Sequence, residues 1–213
     1  MITCYTWKTP NGRKVAIMLE ETGLEHEIEP IDITEGEQHD PAFLAVSPNN
    51  KIPAIVDQRD DGTTLSLFES GAILTYLAEK SGMLLPAGDD RWTTLQWLHW
   101  SIGGIGPMLG QLNHFVNHAD AKIPYAIERY TDEAKRLLGV LERQLSSSEW
   151  IAAGQYTIAD IVSYPWIVEA RESLPEQLGD TFAQSPAIGS WCDRVGRRPA
   201  VEAGMHVLEG SAD

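Results

Sequence analysis

The hydrophobic pattern changes character near residue 81, and that change constrains the fold more than any other feature of the chain. Before it, short elements alternate. Ile2 to Tyr5 is a brief β-rich run, and Thr9-Pro10-Asn11-Gly12 is a turn that can open a helix. Val15, Met18, Leu19 and Thr22 then recur at helical spacing up to a stop at Thr22-Gly23. Residues 27–33 read as a second strand and Ile52 to Val56 as a third. Asp60-Asp61-Gly62 is a hairpin turn with Leu65 to Phe68 as its return strand. Glu69-Ser70-Gly71 starts another helix, carrying Ile73, Leu74, Leu77 and Ala78.

The order is strand–helix–strand, a connection, then a hairpin and a helix, which describes a thioredoxin-like sandwich over residues 1–80. Pro53 suits the mouth of a strand, where a proline is confined and a cis bond would be a deliberate feature. Residues 81–90, SGMLLPAGDD, read as a linker. From 91 to 213 the periodicity is helical. Leu95, Leu98, Ile102, Ile105 and Leu109 mark one face, and Gly103-Gly104, Gly106 and Pro107 must bend or break that helix. Ile127, Tyr130, Ala134, Leu137, Leu138, Leu141 and Leu145 form a cleaner stripe. Thr157-Ile158-Ala159-Asp160 is a capping-box pattern, with Asp in place of the usual Glu. Ser185-Pro186 opens a further helix that Arg198-Pro199 closes. The expectation is an α/β domain followed by an all-α helical bundle.

Composition excludes several classes. Hydrophobic residues make up 43% and charged residues 22% of the 213, which is ordinary for a globular chain and leaves no bulk disorder. The net charge is −15, opposite to a nucleic-acid binder's footprint and repelled by anionic membranes. Residues 1–80 hold 6 basic and 14 acidic residues, and the rest hold 10 and 17, so neither half is an acidic tail. With only Cys4 and Cys192, no disulfide framework is expected, and a reducing compartment is the simpler reading. Met1 to Pro10 has no apolar signal-like core, and no apolar run reaches the roughly 18–20 residues that span a bilayer. A cytoplasmic protein is expected.

Three local patterns then occur in one order along the chain. Asn50-Lys51-Ile52-Pro53-Ala54-Ile55 resembles the segment before the cis-proline of glutathione transferases. Leu67-Phe68-Glu69-Ser70-Gly71-Ala72-Ile73 resembles their acid–serine motif for the γ-glutamyl group, and Thr157 to Asp160 resembles the capping box of their helical domain. Tyr5-Thr6-Trp7-Lys8-Thr9-Pro10-Asn11-Gly12, with Ile123 to Tyr130, is similar to the bacterial Nu class, related to the yeast nitrogen-regulator-like proteins. The resemblance implies a glutathione transferase fold, glutathione as cosubstrate with one or two molecules per site, a homodimer, and a glutathione-dependent disulfide-bond reductase acting on a small disulfide. Alternatives are conjugation of electrophiles or reduction of organic hydroperoxides, and a non-catalytic regulatory binding module.

The residues suit that chemistry. At the predicted helix start, Ser70 can donate to a carboxylate and Glu69 can receive an ammonium, so together they suit a zwitterion; Ser70 also reads as a plain N-cap. The backbone of Ile52, before Pro53, can pair with an extended peptide, although Ile52 also reads as core. Lys51 and Gln38 are candidates for the glycyl carboxylate, and both also read as ordinary surface residues. Arg129 matches the Nu-class pattern and is a candidate for a glutathione carboxylate or a solvated helix charge. Ala87-Gly88 departs from relatives that carry a polar contact in the linker.

A free thiol titrates near ~8.5, and lowering it by about 2 units takes roughly 2.7 kcal/mol, the scale of a helix N-terminus plus one or two hydrogen bonds. By resemblance, Thr9 and Asn11 sit near the glutathione sulfur. Neither is a redox nucleophile, and Cys4 and Cys192 read as buried and inert. The mechanism implied uses glutathione's sulfur alone. His114 and His118 at i, i+4 can bind a metal on a helix but lack the Glu of the zinc-protease motif, so no metal is expected. Trp92, Trp97 and Trp100 read as packing, and Trp100, Met108 and Phe115 are candidates for an apolar substrate pocket.

Overall fold

A computed structural model describes residues 1–209, which form two compact units. The first comprises residues 1–85 together with the C-terminal segment from Arg197. Its elements are β1 (Ile2–Thr6), α1 (Pro10–Thr22), β2 (His26–Pro30), a 3-10 turn at Glu37–His39, the short α2 (Pro41–Leu44), β3 (Ala54–Gln58), β4 (Thr64–Phe68), α3 (Ser70–Ser81) and α10 (Pro199–Met205). The sheet order is β2-β1-β3-β4. β1 runs parallel to β2 and antiparallel to β3, and β3 runs antiparallel to β4.

That connectivity has a geometric consequence. Strands β1 and β4 each lie antiparallel to β3, so they point the same way. The helices that follow them, α1 and α3, therefore start at the same end of the sheet, where β3 begins. Ala54 pairs with both Tyr5 and Phe68 at that end. Val15, Ile17, Met18 and Leu19 of α1 and Ile73, Leu74, Leu77 and Ala78 of α3 are buried, and the two helices pack together. Phe43, Ile31 and Ala54 form a smaller cluster with Tyr5, Val46 and Ile52.

Residues 199–205 depart from the sequence expectation of a helical domain running from 91 to 213. They form α10, which packs against α1. Gly204 lies directly on the Ile17 backbone, where a Cβ would collide. Arg198 forks onto Glu21 with bonds of 2.6 and 2.8 Å. The proline that ends one helix is the first residue of the next.

The second unit, Pro86–Gly196, is helical: α4 (Asp89–Trp100), a π-helical turn at Ser101–Ile105, α5 (Gly106–Asn113), a second π-helical turn at His114–His118, α6 (Pro124–Ser147), α7 (Ile158–Ser173), α8 (Pro175–Ala183) and α9 (Pro186–Gly196). The bend expected at Gly103 to Pro107 takes the form of the first π turn, since Pro107 lacks the N–H that would continue an α-helical ladder. Gly106 and Gly110 lie close against the Trp166 ring: an added Cβ would sit 3.0 and 3.2 Å from it, and the ring would have to give way by a few tenths of an ångström. On α6, Ala134, Leu137, Leu138, Leu141 and Leu145 are buried as the stripe predicts.

The capping box at the start of α7 does more than cap. Asp160 accepts from the Thr157 amide at 3.0 Å, the Ile151 amide at 3.1 Å and the Trp191 indole at 2.9 Å. Burial raises its pKa from 3.8 to about 6, against the pull of those donors. The folded protein thus holds this proton more tightly than the unfolded chain does. The carboxyl's contribution to stability is fullest below pH 3.8 and falls as pH rises through 6. Against the non-titrating Asp160→Asn variant, the wild type should lose up to about 3 kcal/mol of unfolding free energy between about pH 4 and about pH 7. Urea titrations across that range test this, and a difference independent of pH would contradict it.

Candidate functional site

At the shared end of the sheet lies a cavity of about 170 Å³ lined by Asn11, Asn49, Lys51, Ile52, Pro53, Phe68, Glu69 and Ser70. Six of the nine residues singled out from the sequence are in its wall. The topology explains their meeting: Asn11 is in the first turn of α1, Ile52 and Pro53 lead into β3, and Glu69 and Ser70 open α3.

Each segment is locally constrained. Thr9 is the N-cap of α1, and its hydroxyl accepts from the Gly12 amide at 3.2 Å, which leaves its own proton for donation. Gly12 is required there, because a Cβ would strike the Trp7 carbonyl and the Thr6 hydroxyl. The Lys14 ammonium donates to Asn11 Oδ1 at 2.8 Å. The Ile52–Pro53 peptide is cis. The preceding loop is held by Ser47, buried, whose hydroxyl donates to the Lys51 carbonyl at 2.8 Å. Glu69 takes φ 72° at the head of α3, an unusual conformation for a residue with a Cβ. Ser70 is buried and Glu69 is exposed, so the helix start presents a hydroxyl inside and a carboxylate at the rim.

Gln38 sits on the 3-10 turn, outside this cavity's wall. The neighbouring His39 ring is 3.2 Å from the Asn50 amide, which ties that turn to the loop bearing Lys51. Gln38 Oε1 is buried and lacks a hydrogen-bond partner. Arg129 belongs to the helical unit, where it is exposed on α6 and lines a groove of about 810 Å³ with Met108, Tyr125, Tyr130, Glu133 and Arg136. Phe115 stacks on Tyr130 at 5.7 Å, and Trp100 meets Trp97 edge-on at 5.0 Å. The histidines at 114 and 118 lie in a π-helical turn rather than an α-helical one. Among the described residues no three metal-ligating side chains cluster.

Both thiols are free and buried. Burial pushes Cys4 up to about 12 and Cys192 up to about 11. At neutral pH neither is a thiolate.

Lys14, Asn49 and Phe68 belong to this region and were not singled out from the sequence. For Lys14 a signal exists: a cation three residues after Asn11, at the head of the apolar run Val15 to Leu19.

Comparison with known proteins places this geometry. Residues 9–80 match the N-terminal domain of glutathione S-transferase, and residues 124–194 match its C-terminal domain. The chain belongs to the glutathione S-transferase family. It is 49% identical to the disulfide-bond oxidoreductase YfcG of Escherichia coli (strain K12), over 94% of this chain and 92% of that one. A glutathione transferase family member from Pseudomonas fluorescens, crystallised with two glutathione bound, superposes with a TM-score of 0.91 at 45% identity, covering 96% of this chain and 92% of that one. A Pseudomonas putida glutathione transferase, holding one glutathione disulfide per subunit, also gives 0.91, at 44% identity and coverage of 97% and 91%.

Thr9 capping is separable from any chemistry. Thr9→Val should cost about 1 kcal/mol of stability, and Thr9→Ser should restore it, as read by urea unfolding.

Proposed function

We propose that this chain is a glutathione-dependent disulfide-bond reductase whose reacting sulfurs are all glutathione's or the substrate's. One observation carries the reading. The cavity where α1 and α3 begin gathers two amides, a lysine, a carboxylate and a buried hydroxyl, with no cysteine in its wall, and the protein's two thiols are buried elsewhere in their inert form.

The donor set fits glutathione. Ser70 and the free amides of the first turn of α3 suit the γ-glutamyl carboxylate, and Glu69 suits its ammonium. The Ile52 backbone, beyond the end of the sheet ladder, suits the cysteinyl peptide group. Lys51 suits the glycyl carboxylate, with Gln38 at the same end. Thr9 and Asn11, at the positive end of α1, are assigned to the sulfur. Arg129, on α6 of the helical unit, is outside this cavity's wall. Glutathione supplies the thiols: two are oxidised to one glutathione disulfide while one substrate disulfide is reduced to two thiols. The protein binds and aligns them, and stabilises the thiolate by a helix N-terminus and two side-chain donors. A chain at −15 needs those local dipoles and Lys51 to receive an anionic tripeptide.

A homodimer and a cytoplasmic setting belong to the same proposal. Tyr125 at 73% and Trp92 at 67% exposure leave aromatic surface on the helical unit for a second copy. No helix among the described residues is long and apolar enough to cross a membrane. Sedimentation at 23.6 kDa would contradict the dimer.

Purified protein assayed with a small disulfide, an electrophilic aromatic and an organic hydroperoxide separates the reductase from conjugating or peroxidase activity, and calorimetry without glutathione binding would favour a non-catalytic module. Asn11→Ala should lower disulfide exchange roughly ten- to a hundredfold, the worth of one hydrogen bond to a charged group. Cys4→Ala/Cys192→Ala should retain activity. Loss of turnover in that double variant, with the fold intact, would reject the reading.

A further inference from the structure

Lys14 has no place in the assignments above, yet it is the least expected side chain near the cavity. It is 1% exposed, on the buried face of α1. A lysine at a helix surface ordinarily carries its ammonium out to water. This one keeps it inside and donates to Asn11 Oδ1 at 2.8 Å. Burial lowers its pKa to about 7, opposed by the Glu69 carboxylate. The ammonium is therefore in contact with the cavity's amide and within electrostatic reach of the cavity's carboxylate.

We propose that Lys14 is a positioning residue for the bound glutathione sulfur: by holding Asn11 Oδ1 it sets the orientation of the side-chain amide, so that the Nδ2 donor is the end presented to the cavity. The inference rests on the assignment of Asn11 to the sulfur. Below about pH 7 the side chain is an ammonium, with donors and no acceptor, so the amide must meet it oxygen first; the reversed amide would set donor against donor. A charge-assisted bond to the oxygen also polarises the amide, which strengthens the N–H bond made at its other end. A lysine serving only to fill space would be replaced without loss by methionine, which has a similar length and no desolvation cost.

The test compares the wild type with Lys14→Met, Lys14→Gln, Asn11→Ala and the Asn11→Ala/Lys14→Met double variant. The readouts are the pKa of bound glutathione, followed by its ultraviolet thiolate absorption under saturating glutathione, the glutathione Kd by calorimetry, and the Asn11 side-chain NH2 resonances of the ligand-free protein. Lys14→Met should raise the bound thiol's pKa by about one unit, a tenfold smaller thiolate fraction well below that pKa, with a smaller change in Kd. It should also shift or broaden the Asn11 amide signals. Lys14→Gln, which keeps a donor without the charge, should fall between. The double variant should be no worse than Asn11→Ala, because Lys14 acts through Asn11. A folded Lys14→Met protein with the wild-type thiol pKa overturns the inference, as do losses that add to those of Asn11→Ala. If Lys14→Met does not fold, Lys14→Gln decides by the same readouts. An Asn11→Ala variant with an unchanged thiol pKa overturns the assignment of Asn11, and this inference with it.

Discussion

Two helices begin at one end of a four-stranded sheet, and the site depends on that coincidence. It follows from strand direction: β1 and β4 flank β3, both antiparallel to it, so the chain leaves both at the edge where it enters β3. Three segments distant in sequence, around residues 11, 52 and 69, then share one small cavity. The first turn of a helix carries amides without intrahelical partners and the positive end of the peptide dipoles. A cavity bordered by two such turns favours anionic groups before any side chain is counted.

Side chains refine that field. The chain as a whole is strongly acidic, and Glu69 stands at the cavity's rim. Its carboxylate makes the α3 end suited to a zwitterion rather than a simple anion. Lys51 brings a cation on the loop before β3, and Lys14 brings one from beneath. The two lysines differ in kind. Lys51 is exposed and its field is screened by solvent. Lys14 is enclosed, acts at short range in a medium of low polarisability, and has its amide partner fixed.

Much of the fold was legible because its signals are local. The alternation of short runs, the Asp60-Asp61-Gly62 turn and the α6 stripe each report on a single element, and each element is present, although β2 ends at Pro30 rather than reaching residue 33 and β3 begins at Ala54 rather than at Ile52. The capping box was legible for the same reason, since Thr157 and Asp160 are three residues apart. Its reach to Ile151 and Trp191 was not. Pro107 announced a break in a helix without saying that a π turn would accommodate it. The return of α10 to α1 was invisible, because Gly204 matters only through the Ile17 backbone it lies upon. In the site, the motif residues at 51–53 and 69–70 could be named from their pattern. Lys14 carried only its place beside the apolar run Val15 to Leu19, and a lysine in a helix reads as exposed until the packing around it is known.

By itself the sequence determined the succession of elements, the apolar faces, the caps, and the absence of a cysteine from the turn that opens α1. These depend on nearest neighbours along the chain. Only the tertiary structure decided which helix ends meet, that the C-terminal helix joins the sheet unit, and that one lysine is sealed against an amide. Those depend on strand direction and on which surfaces exclude water, and neither is a property of any single segment.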